Sequence, residues 1–181
     1  MNALAEAPLA LACAVTLASA WTDARTGRIP NLLTLPVLPL GLLLGAANDG
    51  WAGVGLSVLG ILLCFSVPYV LFRSSRGSAI GGGDVKLFAA LGALLGPSAG
   101  LEVEFASLVL LAVFALVALT WRGQLLNVLR RSLWLCVNWV LPKARRRQVQ
   151  PEMLVSMRLG PAICIATWGF ATLELLPGLF A

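Results

Sequence analysis

Two aspartates are the residues whose type and setting could do chemistry. Asp23 follows a long apolar stretch, in Trp21-Thr22-Asp23-Ala24-Arg25-Thr26-Gly27-Arg28-Ile29-Pro30-Asn31, and Asp84 closes Gly81-Gly82-Gly83-Asp84 at the head of another. Each is an ionisable group at the edge of apolar sequence, where taking its charge out of water is costly. Two carboxylates a few ångströms apart cannot both ionise easily, so they share a proton and titrate as a unit. Such a pair can activate water. The ionised member takes a proton from a water as it attacks a peptide carbonyl. The protonated member donates to the carbonyl oxygen, and a proton later reaches the leaving amine. This is aspartic peptidase chemistry, and it makes Asp23 and Asp84 candidate catalytic residues. It calls for no metal and no cofactor. The chain contains no His, which excludes Ser-His-Asp triads, His general bases and His-ligated metals.

The glycines before Asp84 carry a separate expectation. Three in a row disfavour helix by about 1 kcal/mol each, predicting an irregular segment ahead of the next helix. With no Cβ there, another backbone can come close. Gly81, Gly82 and Gly83 are therefore candidate substrate-binding residues, against which an extended peptide would pair like a strand. Other readings of these residues stay open. Asp84 alone could cap the helix that follows, Asp23 could pair with Arg25 or Arg28, and Pro30 could do no more than start a helix at its first position. Nothing in the spacing shows that Asp23 and Asp84 meet.

The elements that must position them are hydrophobic. Of 181 residues, 59% are hydrophobic and 12% charged, against about 45–50% and about 25% in ordinary soluble domains. A water-soluble fold of this size cannot hide so much apolar surface. Long unbroken apolar runs also argue against a membrane β-barrel, whose strands alternate. Six stretches stand out, at about Leu4–Ala20, Leu32–Ala47, Val54–Phe72, Val85–Ala99, Phe105–Trp121 and Leu159–Leu176. A helical span needs about 20 residues, so the second and fourth must borrow flanking residues or thin the bilayer locally. The expected fold is an all-α polytopic membrane protein of six transmembrane helices, with residues 1–181 forming one membrane-embedded domain.

Between spans five and six the segment Gln124–Leu141 repeats apolar residues with a helical period, but carries Arg130 and Arg131 at its middle. Two arginines at a span centre cost on the order of 5–7 kcal/mol, so the segment reads as an interfacial amphipathic helix. The run Lys143-Ala144-Arg145-Arg146-Arg147 follows, making a surface region of about 122–157 that faces anionic lipid. With six spans, all 13 Lys and Arg fall on one side, together with Asp23, Asp84 and Glu152; Glu6, Asp49, Glu102, Glu104 and Glu174 fall on the other. The split puts both termini outside and both aspartates at the cytoplasmic edge. Membrane lipid, not nucleic acid, then accounts for the net charge of +5. Ala18-Ser19-Ala20 looks like a cleavage site, but no basic region precedes the first apolar stretch, so it reads as a span and not a cleaved signal. Cys13, Cys64, Cys136 and Cys164 form no CxxC pair and read as small buried hydrophobes.

Gly81-Gly82-Gly83-Asp84-Val85-Lys86-Leu87 resembles the GxGD-V-K-L signature of the type IV prepilin peptidase family, and Asp23 ahead of Ile29-Pro30-Asn31 resembles that family's first-aspartate motif. GxGD by itself is shared with other intramembrane aspartyl proteases; the pair in this order is specific. The resemblance spans essentially the whole chain. It implies that Asp23 and Asp84 are the catalytic dyad, that the partner is the helix of a prepilin or pseudopilin, and that its short basic leader is removed at the cytoplasmic face of the bacterial inner membrane. Larger members also N-methylate the new terminus and carry paired CxxC motifs. Their absence here resembles the short, peptidase-only branch of Flp (tight-adherence) pili. Near the last helix Arg158-Leu159 stands where that branch often has Pro-Tyr, while Gly160-Pro161-Ala162-Ile163 keeps the remainder.

Two further functions compete. A transporter or channel subunit would use boundary carboxylates as ion sites and requires an acid near a span centre with a broken helix beside it. A catalytically dead scaffold would lack one of the aspartates.

Overall fold

A computed structural model describes residues 3–75, 80–121, 123 and 159–179. The regular elements among these residues are all helices: α1 (Ala3–Thr26), α2 (Asn31–Thr34), α3 (Val37–Ser74), α4 (Gly82–Trp121) and α5 (Gly160–Leu179). Among the described residues three stretches, Glu6–Thr26, Asn31–Ser74 and Gly82–Trp121, are long and apolar enough to cross a membrane. The expected amphipathic helix at 124–141, the basic run Lys143–Arg147, Cys136, Glu152 and Arg158 lie outside the described residues.

Neither α3 nor α4 is one straight rod. In α3, Asp49 and Gly50 leave helical geometry, with Gly50 at φ 59°. The Ser57 hydroxyl donates to the Gly41 carbonyl at 3.4 Å, and Gly53 lies against the Gly45 carbonyl. Sixteen residues of straight helix would separate Ser57 from Gly41 by about 24 Å, so the chain must double back at Gly50. In α4 the break is Gly96, at φ 76°, and a Cβ on Gly100 would lie 3.1 Å from the Gly92 Cα. A left-handed backbone favours Gly, and Pro97 is suited to the first turn of the returning arm. Each of these helices is thus a hairpin with a short first arm, 37–48 and 82–95.

This moves two acids. Sequence reading leaves Glu102 and Glu104 in a loop before Phe105; the reversal at Gly96 instead puts both inside the second arm of α4. Glu104 is only 3% exposed, against Cys64 of α3, and its Oε2 has no hydrogen-bond partner.

The first arm of α4 sits at the centre of the bundle, with every residue from Leu87 to Leu94 buried. Its neighbours reach it through small residues. Gly60 of α3 packs on the backbone of Gly92, a Cβ on Gly41 would be 2.7 Å from Ala93, and one on Gly100 would be 2.8 Å from the Cys64 sulfur. Small residues at crossings let helix backbones approach, which is how helices associate where burial from water supplies no drive. Leu87, Phe88, Leu91, Val103 and Ile163 fill the remaining core. Large side chains such as Leu62, Val70, Phe105 and Leu116 stay exposed on the periphery, as surface in contact with lipid can.

Helix α5 runs antiparallel to α1. The Trp168 indole donates to the Cys13 carbonyl at 3.3 Å, the Cys164 thiol meets the Thr16 hydroxyl, and Gly160 meets Asp23. Cys64 is buried and Cys13 and Cys164 half-buried, all as free thiols.

Candidate active site

Helix α1 ends where Gly27, at φ 66°, turns left-handed and returns its N–H to the Asp23 carbonyl at 2.9 Å, a common helix stop. Asp23 therefore stands on the last turn of α1. Beyond Gly27 the chain leaves helical structure through Arg28 and Ile29 to Pro30. Pro30 is the N-cap of α2, at φ −66° and ψ 139°, with Asn31 the first helical residue; the reading of Pro30 as a first helical residue is off by one place.

This connection delivers the first motif to the second. Gly83 packs directly on Ile29: a Cβ there would lie 2.9 Å from the Ile29 Cβ and 3.2 Å from its carbonyl oxygen. The Lys86 ammonium donates to the Asn31 side-chain oxygen at 2.8 Å, one turn further along α4. A charge-assisted bond this exposed is worth about 1 kcal/mol. Lys86→Met should lower the thermal midpoint in detergent by about 2–4 °C for a chain of this length; no change would mean that the bond does not tie the two motifs.

Helix α4 starts inside the glycine run, at Gly82, so the irregular segment predicted from composition is shorter than the run. Gly81 is the N-cap, its carbonyl accepting the Val85 N–H at 3.3 Å. Asp84 is thus the third helical residue and not the cap. It reaches back, and its Oδ2 accepts the Gly81 N–H at 3.1 Å, half of a capping box. All three glycines are used within the fold. Gly81 holds Asp84, Gly82 has its open side 3.7 Å from the Phe72 ring, and Gly83 seats Ile29. The Gly81 N–H and carbonyl each already hold one partner, Asp84 and Val85.

Asp23 is only 6% exposed and Asp84 half-buried. They line one cleft of about 270 Å³ with Gly27, Arg28, Ile29, Gly81, Gly82 and Gly83, and are close enough for the Asp23 charge to act on Asp84. Arg28 and Gly81 are exposed and form the mouth. Arg25, a partner considered for Asp23, instead lies over the Trp21 ring at 4.1 Å. Asp23 accepts a main-chain bond from the far end of the chain: the Gly160 N–H donates to its Oδ2 at 3.2 Å. Both carboxylates thus have Oδ2 engaged by a glycine amide and share one cleft. Among the described residues no three His, Cys, Asp or Glu side chains gather as a metal site.

Sequence reasoning named both aspartates and the glycine run. It assigned no structural role to Asn31 and Lys86, and missed Gly160 as a partner of Asp23. The only signals were the presence of Asn31 and Lys86 within the two motif segments and the run Gly160-Pro161 at the head of the last apolar stretch.

Residues 10–116, which hold α1 to the second arm of α4 and both aspartates, match the model of the type IV leader peptidase family. A prepilin leader peptidase/N-methyltransferase of Burkholderia pseudomallei (strain 1026b) is 42% identical over 117 residues, covering 62% of this chain and 37% of that protein. One of Neisseria gonorrhoeae is 34% identical over 136 residues, 66% of this chain and 47% of that protein. Prepilin peptidase EppA of Methanothermobacter thermautotrophicus is 39% identical over 82 residues, 42% of this chain and 20% of that protein. The chain spans less than half the length of these curated relatives. No solved structure matches. With Asp23, the Ile29 contact and the Gly81–Asp84 turn all inside the matched residues, the chain belongs to the type IV leader peptidase family.

Proposed function

We propose that this chain is a membrane-embedded aspartic endopeptidase that removes the basic leader from prepilin-like substrates. The observation that carries the reading is the shared cleft of Asp23 and Asp84. The prepilin substrates named for the relatives support it. In this mechanism one water binds between the two carboxylates. The ionised aspartate takes a proton from it as its oxygen bonds to the scissile carbonyl carbon, and the protonated aspartate donates to the carbonyl oxygen. Collapse of the tetrahedral species breaks the C–N bond, and the amine leaves with a proton from the pair. The overall balance is one water consumed, its hydroxyl on the new carboxyl group and its proton on the new amine. Gly81, Gly82 and Gly83 form the cleft wall along which the scissile segment lies.

The hairpins of α3 and α4, with α1 and α5, make six helical arms, and we read each as one membrane crossing in a bacterial inner membrane. Both termini then lie outside, and the cleft faces the cytoplasm with the basic residues. Leader removal proceeds without N-methylation, in keeping with the four cysteines forming no CxxC pair, and a Flp-type prepilin is the expected substrate. The transporter reading gains one observation, the buried Glu104. It lacks the broken helix beside that acid, since both breaks are hairpin turns. Full-length protein reconstituted with a Flp-type prepilin should release the leader, and the mass of the mature pilin should show no added methyl group. An intact substrate beside correctly folded enzyme overturns the peptidase reading; a methylated terminus overturns the peptidase-only part.

A further inference from the structure

We propose that Gly160, at the start of α5, is the positioning residue of Asp23. Its amide fixes Oδ2 of that carboxylate, so that Oδ1 is the oxygen that takes the proton of the attacking water. The inference rests on the peptidase reading above and adds to it a residue on another helix.

Three observations carry it. The bond is buried and joins residues 137 apart in sequence, so no local turn accounts for it. The site admits only glycine: a Cβ at 160 would lie 2.8 Å from Oδ2, 2.9 Å from the Asp23 Cβ and 3.2 Å from its Cγ. The Asp23 Cβ is fixed to its backbone and cannot swing away as the end of a long side chain can. Nor can α5 step back, because Leu159, Ala162 and Ile163 are buried in the core, and Trp168 is tied to Cys13 two turns further along. The added methyl must therefore turn the Asp23 carboxylate out of its position. A helix N-terminus also favours a negative charge beside it, so the start of α5 suits the carboxylate that the same contact aims.

The test compares Gly160→Ala with Gly169→Ala in the full-length protein, with a Flp-type prepilin as substrate. Gly169 lies on the same helix with nothing within 4 Å of an added Cβ. Alanine favours helix over glycine by about 1 kcal/mol, so lost helix propensity cannot explain a defect in either variant. Gly160→Ala should lower kcat about 100-fold, the scale of a displacement of about 1 Å in a catalytic group, with KM unchanged. Gly169→Ala should cleave like the wild type. A wild-type kcat for Gly160→Ala, an equal loss in Gly169→Ala, or a defect confined to KM overturns the proposal. A second measurement leaves Gly160 in place. In protein labelled with ¹⁵N-glycine, Asp23→Asn should move the Gly160 amide proton upfield and leave Gly169 unmoved. A stationary Gly160 resonance overturns the proposal even if Gly160→Ala does not fold. Wild-type protein that leaves prepilin uncut while Gly160 responds to Asp23→Asn would sink the peptidase reading and leave the contact standing.

Discussion

Asp84→Asn and Asp23→Asn should each abolish leader removal while leaving the protein inserted and folded. Asparagine has the shape of aspartate and keeps an oxygen to accept the amide of Gly81 or Gly160, so the turn at α4 and the α1–α5 contact survive. What it lacks is the transferable proton and the charge. A positioned general acid or base contributes about 10²–10⁴-fold, and in the proposed mechanism the two aspartates act together, so either change should cost about a thousandfold or more. The measurement is the leader-cleavage rate in proteoliposomes, with a thermal melt in detergent as the control for folding. If either variant processes prepilin at the wild-type rate with an unchanged melt, the two carboxylates do not form a dyad.

The largest effect on stability is expected from Gly92→Val. Gly92 of α4 and Gly60 of α3 present backbone to backbone, and a Cβ on either would run into the other's carbonyl group. A side chain here has no flexible neighbour to displace, so the crossing must open. Overpacking a core costs about 1–3 kcal/mol and sometimes more; with main chain on both sides the loss should be at or above the top of that range. The central arm of α4 carries Asp84, so activity should fall with the folded fraction. Gly55→Val is the matched control, since an added Cβ there meets nothing within 4 Å. A melt for Gly92→Val as high as that of Gly55→Val would show that the crossing does not hold α3 to α4.

The helical class and the two acids were legible in the sequence because both are local signals. Apolar run length announces a helix that can cross lipid, and a carboxylate beside such a run is costly enough to need a reason. The juxtaposition was not legible. It depends on Gly83 seating Ile29 and on Gly160 admitting Asp23, contacts defined by a missing methyl group, which hydropathy does not register. Glu104 shows the same limit. The apolar-run boundaries leave Glu104 in a loop before Phe105, yet the reversal at Gly96 comes early enough to carry it into the bundle beside Cys64. The glycine run misled in the other direction: helix propensity predicts a break up to Asp84, but Asp84 itself, reaching back to Gly81, helps the helix begin two residues sooner.

The bond between Asp23 and Gly160 also has a meaning in time. A ribosome delivers Asp23 137 residues ahead of Gly160, so the growing chain holds a carboxylate without its amide partner until α5 docks on α1. On the positioning proposed for Gly160, a chain not yet extended through α5 should therefore cleave nothing, and competence should arrive only with that docking.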